Sequence, residues 1–255
     1  QRYDAQPGTA RRVKISTLAK ESMGIPDHFD MIAQACPENF APLSKTLKII
    51  TTDFGADCDD QKAVSDIIAE RKPGEALAFI VSGPHPSLAA HAISEKYHAR
   101  TGHYPPIMLG RQFEEDKKPE DQIYSLADGG SMTGKKASDP GSFPQELFQQ
   151  AIATGIKAGF FDKVEQIVLA PLHTEFEYFN TQTPELLSDA GFQAAWAKVE
   201  KTATLQFQRM DDGTCKGNNY QKSAPGVADG FLAQLMADDV ETVYFDGAVA
   251  KAPEF

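Results

Sequence analysis

Four aspartates, Asp53, Asp57, Asp59 and Asp60, fall within eight consecutive positions of "TTDFGADCDDQKAV", residues 51–64. Carboxylates this close repel one another, and burying even one without compensation costs about as much as the whole net stability of a domain. Such a loop is either open to water or holds something positive. A hard divalent cation is the simplest neutraliser, because calcium gathers about six to eight oxygens at ~2.3–2.6 Å from carboxylates, carbonyls and waters. Asp53 at a strand end and Asp59 and Asp60 at a helix start can point at one centre, with Gly55 freeing the turn between them. Magnesium on two or three carboxylates is the alternative ion. Capping a helix and favouring its dipole accounts for one aspartate; four exceed what a cap needs.

The elements that would hold this loop follow from periodicity. "KTLKIITTD" (45–53) is rich in Ile and Thr and reads as a strand. "DDQKAVSDIIAERK" (59–72) spaces Ala63, Val64, Ile67 and Ile68 as one helical face. "ALAFIVSG" (76–83) is a continuous apolar run, the mark of a strand buried on both faces. A helix over 86–102, opened by proline and closed by glycine, and a strand at 106–110 follow. Residues 113–142 show no period and read as a long loop beside a site. A helix over 144–159, a strand at 164–172, a helix over 190–203, a strand at 204–210, a helix over 226–239 and a strand at 240–247 complete the pattern. His91 and His98, seven apart in a helix, read as packing or surface residues. Phe192, Trp196 and Val199 read as core. Asp229, in "VADGFL" at a helix start, reads as a cap.

Alternating strands and helices predict an α/β fold with a mostly parallel central sheet and helices on both faces. Ligands of such sheets sit at the carboxyl ends of the strands, where the aspartates, "SGPH", "LGRQ" and "APLHTE" all fall. The domain is expected over 45–255, with residues 1–44 as an N-terminal extension. The chain has 255 residues, 41% hydrophobic and 24% charged, in the range of an ordinary soluble globular protein. A net charge of −11 without a basic stripe argues against nucleic acid or anionic membrane as partner. No apolar stretch approaches the ~20 residues of a membrane span. Three cysteines, Cys36, Cys58 and Cys215, make no disulfide framework and suit a reducing compartment. The expected location is the cytoplasm, or an organelle lumen after removal of a targeting peptide.

The pattern D-x-G-x-D-x-D-D at the end of the first strand resembles the nucleoside hydrolase family, the inosine-uridine-preferring type, in a divergent and C-terminally short form. "FIVSGPHPSLAAHAI" is similar to the family's second strand, turn and alanine-rich helix. "PPIMLGRQ" is similar to its third strand, and "SLADGGSMTG" to its acidic glycine-rich loop. "IVLAPLHTEF" and "LQFQRMDDGTCKGNNY", followed by "VETVYFDGAV", fit the later strands and the ribose loop. The resemblance implies a nucleoside-hydrolase-like, Rossmann-like core and Ca²⁺-dependent hydrolysis of the N-glycosidic bond of a ribonucleoside or related ribosyl compound. It makes Asp53 metal ligand and general base, Asp60 the second carboxylate on the metal, and the carbonyl of His173 the backbone ligand. Asp57 adds a ligand from the longer loop. Asp59, Asn218 and Asn219 face the ribose, and His85 takes the place of a ribose-binding asparagine.

The chain departs from the family at three places. Pro84 stands at the asparagine position and Gly217 at a glutamate that contacts the sugar. No histidine follows His173, so the family's late His-Asp pair has no counterpart. These departures set a second expectation beside the first: a catalytically inactive relative acting as a structural or regulatory subunit. Residues 1–44 carry Ile15, Leu18, Met23, Ile25, Phe29, Met31 and Ile32 together with the basic run "ARRVKISTLAK". The extension is therefore expected either to cover a face of its own chain or to dock on another protein, and its basic run favours outward docking on an acidic partner.

Overall fold

The sheet is built outward from its most apolar strands. In the computed structural model, which describes residues 2–3, 12–13, 45–55, 58–72, 75–102, 105–112, 123–125, 131–133, 145–173 and 184–245, six parallel strands form one sheet. Two short segments near the amino terminus, β1 (Arg2–Tyr3) and β2 (Arg12–Val13), pair antiparallel with each other. The central strand of the large sheet is β3 (Thr46–Thr52), flanked by β4 (Glu75–Gly83), all nine of whose residues are buried. Beyond β4 lies β5 (Ile107–Gln112). On the other side of β3 come β8 (Lys163–Val168), β9 (Glu200–Leu205) and, at the edge, β12 (Glu241–Tyr244).

Chain direction decides which face each helix covers. The chain runs from β3 to β4 to β5 through α1 (Cys58–Ala69) and α2 (Pro86–Thr101). Both helices pack on the face that carries Ile50, Leu77, Phe79, Val81 and Ile107. It then returns through α3 (Gln145–Lys157) to β8 and continues outward the opposite way, through α4 (Pro184–Ser188) and α5 (Ala190–Trp196) to β9. Right-handed crossovers made in the reverse direction must lie on the other face. Side chains of α3, α4 and α5 accordingly pack on Leu47, Ile49, Ala78, Ile80 and Val164. So does α7 (Val227–Ala237) on Ala203 and Leu205, preceded by α6 (Asn218–Lys222).

Several sequence expectations are corrected at their ends. The polar stretch 113–142 is not wholly loop, because β6 (Ile123–Ser125) and β7 (Ser131–Thr133) pair antiparallel within it. The helix expected over 190–203 stops at Trp196. After a turn, Glu200 starts β9, its amide donating to the Asp162 carbonyl at 2.9 Å. β-branched Val199 and Thr202 favour the ladder there over helix. The strand expected to run to 172 ends at Val168, and "TLQFQRM" divides into the end of β9 and β10 (Gln208–Arg209), which pairs with β11 (Cys215–Lys216). Asp229 does not cap α7, whose N-cap is Gly226; its carboxylate accepts from the Tyr220 hydroxyl at 2.6 Å. Phe192 and Trp196 are core, stacked at 6.0 Å, and His91 pairs with Glu95 at 3.1 Å.

Candidate functional site

The sheet reverses its winding between β3 and β8, and open α/β sheets place their ligands at such a switch point, outside the strand ends. Asp53 follows β3 directly there. The polar loop after β3 turns the chain up into α1, placing Asp59 and Asp60 in its first turn. Gln61 Nε2 donates back to the Gly55 carbonyl and closes the turn. Asp60 is only 6% exposed. Its Oδ2 accepts from the Thr52 hydroxyl at 2.6 Å and from the Asp53 amide at 3.1 Å. The Asp53 carboxyl also hydrogen-bonds it.

This environment is unfavourable to charge. Burial, and then the neighbouring Asp53 charge, push the Asp60 carboxyl well above the usual carboxylate range. The Thr52 hydroxyl opposes the shift and Asp59 adds to it. No described lysine, arginine or histidine acts on Asp60. Two carboxyls within hydrogen-bond reach cannot both ionise unless a cation joins them, and otherwise they share a proton. The donor set, two carboxylates with hard oxygens, suits Ca²⁺ or Mg²⁺. Among the described residues no group of three or more His, Cys, Asp or Glu side chains is arranged to hold a metal, so the remaining oxygens would have to be carbonyls, waters or ligand hydroxyls.

The other expected residues divide into those brought to this edge and those not. Gly83, at the end of β4 with φ +124°, lies so close to Asp53 that a Cβ on it would stand 3.7 Å from the Asp53 Cβ. Two residues on, His85 precedes α2. It is 9% exposed, its Nδ1 is buried without a hydrogen-bond partner among the described residues, and burial lowers its pKa. On the β8 side, the Leu169 amide donates to the Thr51 carbonyl at 2.9 Å. Asn219 is buried and gives its Nδ2 to the Leu169 carbonyl at 2.6 Å, which fixes α6 against the strand end. Asn218, beside it, is exposed. His173 is half-buried just past Leu172, whose amide donates to Ser223 Oγ at 2.9 Å. Asp59 accepts the Asp60 amide at 2.9 Å on Oδ1. Asp57 lies outside the described residues.

Sequence reasoning missed Thr52 and Ser223. Thr52 is the last residue of β3 and a direct neighbour of the acidic loop, so its place in "TTD" was the available signal. Ser223 also donates to the Asn219 carbonyl at 2.7 Å, tying the post-β8 loop to α6. Nothing in its local sequence marks that role.

No family model and no curated protein matches the chain. Among solved structures it is similar to an FMN-dependent cysteine decarboxylase, SpaF, at 15% identity over 81% of this chain and 87% of that one, with a TM-score of 0.34. A likeness of that degree carries neither a family nor an activity. No described helix is long and apolar enough to cross a membrane.

Proposed function

We propose that the chain is a nucleoside-hydrolase-like protein that hydrolyses the N-glycosidic bond of a ribosyl compound with Ca²⁺, or Mg²⁺, held by Asp53 and Asp60. The observation that carries this reading is the buried Asp60 carboxyl, hydrogen-bonded to the Asp53 carboxyl at the switch point. Bound there, the metal would orient ribose hydroxyls and activate a water. Thr52 and the Asp53 amide hold Asp60 in place, leaving the more open Asp53 carboxylate as the base that takes the water's proton. In this reading His85, with its buried unpartnered Nδ1, and Asp59 receive sugar hydroxyls.

The reading is tested by incubating the protein with a panel of ribonucleosides, with calcium or with chelator, and measuring released ribose. Release should require the metal, and Asp53→Asn should remove it. Absence of ribose above the Asp53→Asn background, across the panel, would overturn it. A second reading, an inactive subunit that keeps only the metal, is favoured by one observation. Asn219, which the resemblance assigns to the sugar, already gives Nδ2 to the Leu169 carbonyl. Calcium-dependent stabilisation without ribose release would select that reading.

A further inference from the structure

Thr52 ends β3 directly before the acidic turn and is fully buried. Its hydroxyl is engaged on two sides. The Phe54 amide donates to it at 3.1 Å, and it donates in turn to Asp60 Oδ2 at 2.6 Å. Phe54 is buried as well and shares a core cluster with Ile50 and Val64, so the amide that orients the hydroxyl is anchored in the core. A β-branched side chain has few rotamers open to it. With an acceptor site of the hydroxyl committed to Phe54, its proton is directed at Asp60. The 2.6 Å separation matches the length of about 2.5–2.7 Å expected for a hydroxyl donating to a carboxylate oxygen.

The same oxygen, Asp60 Oδ2, also accepts the Asp53 amide at 3.1 Å. A carboxylate oxygen offers about two lone-pair sites, and these two donors take both. Oδ1 is then the oxygen left to Asp60 for a cation. We infer that Thr52 is a positioning residue: by occupying Oδ2 it makes Asp60 a one-oxygen ligand and biases the Asp53 and Asp60 pair toward Mg²⁺ over Ca²⁺. The inference rests on the reading that these two carboxylates hold the cation of a ribosyl hydrolase. Mg²⁺ takes near-octahedral geometry on one or two carboxylates, with waters and ligand oxygens completing the set, so a single oxygen from Asp60 suits it. Ca²⁺ gathers about six to eight oxygens and readily takes both from one carboxylate, so the same constraint denies it a ligand. Partners one step behind a metal ligand typically shift affinity by about 10–100-fold.

The test is isothermal titration calorimetry of the full chain with magnesium chloride and with calcium chloride, in the absence of any nucleoside. Thr52→Val keeps the shape of the side chain, removes the donor and opens a lone pair on Oδ2. The ratio of Mg²⁺ to Ca²⁺ affinity should then fall about tenfold or more. Thr52→Ser restores the hydroxyl and should return the ratio to within about threefold of the parent. Thr52→Ala takes the place of the valine variant should that protein lose its cooperative melt in chelator. A merely structural role for Thr52 would lower stability, or both affinities together, and leave their ratio alone. An unchanged ratio, or loss of both cations alike, in a cooperatively melting variant without the hydroxyl would therefore overturn the proposal and leave the metal reading standing. So would a serine variant that behaves as valine does. A parent protein that binds neither cation overturns the metal reading itself, and this inference with it.

Discussion

The two halves of the sheet differ in how much of each strand is withdrawn from water. Every residue of β4 is buried, between α1 and α2 on one face and α3 on the other. In β12 the pattern alternates, with Glu241 and Val243 exposed and Thr242 and Tyr244 half-buried. β4 reads in sequence as an unbroken apolar run, because a strand covered on both faces needs apolar residues at successive positions; the sequence of β12, Glu-Thr-Val-Tyr, carries no such signal. The candidate site sits on the boundary between the halves. There β3 is packed on both faces, and Asp53 follows its carboxyl end where the winding direction changes. A rigid back wall and an open edge are what a site needs to hold two carboxyls against their mutual repulsion.

The largest effect that would sharpen this contrast is in the doubly covered half. Phe79→Ala, at a fully buried position of β4, should destabilise by about 3–5 kcal/mol, read by denaturant unfolding. A loss under about 1 kcal/mol would show that this half is loosely packed. Next comes Gly110→Ala on β5. A Cβ there would stand 2.3 Å from Ser82 Oγ and 3.4 Å from the Val81 carbonyl, forcing the buried serine to move. A destabilisation of about 1–3 kcal/mol is expected from such overpacking, and an unchanged midpoint would mean that Ser82 moves without cost.

At the boundary, the expected effect is a pH dependence. The Asp60 carboxyl is raised above its ordinary value by burial and by Asp53, so the folded state binds the proton more tightly than the unfolded one. Its stabilising contribution is present in full below the unfolded value of about 3.9, and is lost as pH rises through the higher folded value. In chelator, the melting temperature should fall over that window relative to Asp60→Asn, whose amide does not titrate. Millimolar calcium should restore it in the parent protein alone. Identical pH profiles for the two proteins would remove the carboxyl pair from the account. The smallest effect lies in the outer half. Met236→Ala, on the exposed side of α7 at 78% exposure, should change stability by no more than about 0.5 kcal/mol in the same unfolding measurement.

Much of this was written locally. The unbroken run "ALAFIVSG" announced a strand covered on both faces, and Pro86 with Gly102 marked both ends of α2, the glycine at φ 74°. The crowding of Asp53, Asp59 and Asp60 was legible as a local conflict of charge, because repulsion between like charges is a property of short sequence distance. What sequence left open depended on distant partners. The "VEKTA" segment could extend the preceding helix by its spacing, and only the open ladder beside β8 made it strand. Asn219 looked free to meet a sugar until α6 came against the end of β8 and its amide found the Leu169 carbonyl. That Asp60, rather than Asp53, is the buried member of the pair was likewise decided by tertiary structure. Composition and periodicity fix which residues leave water, since that depends on each residue and its near neighbours. Which polar groups meet depends on strand order and winding direction, and these belong to the assembled sheet.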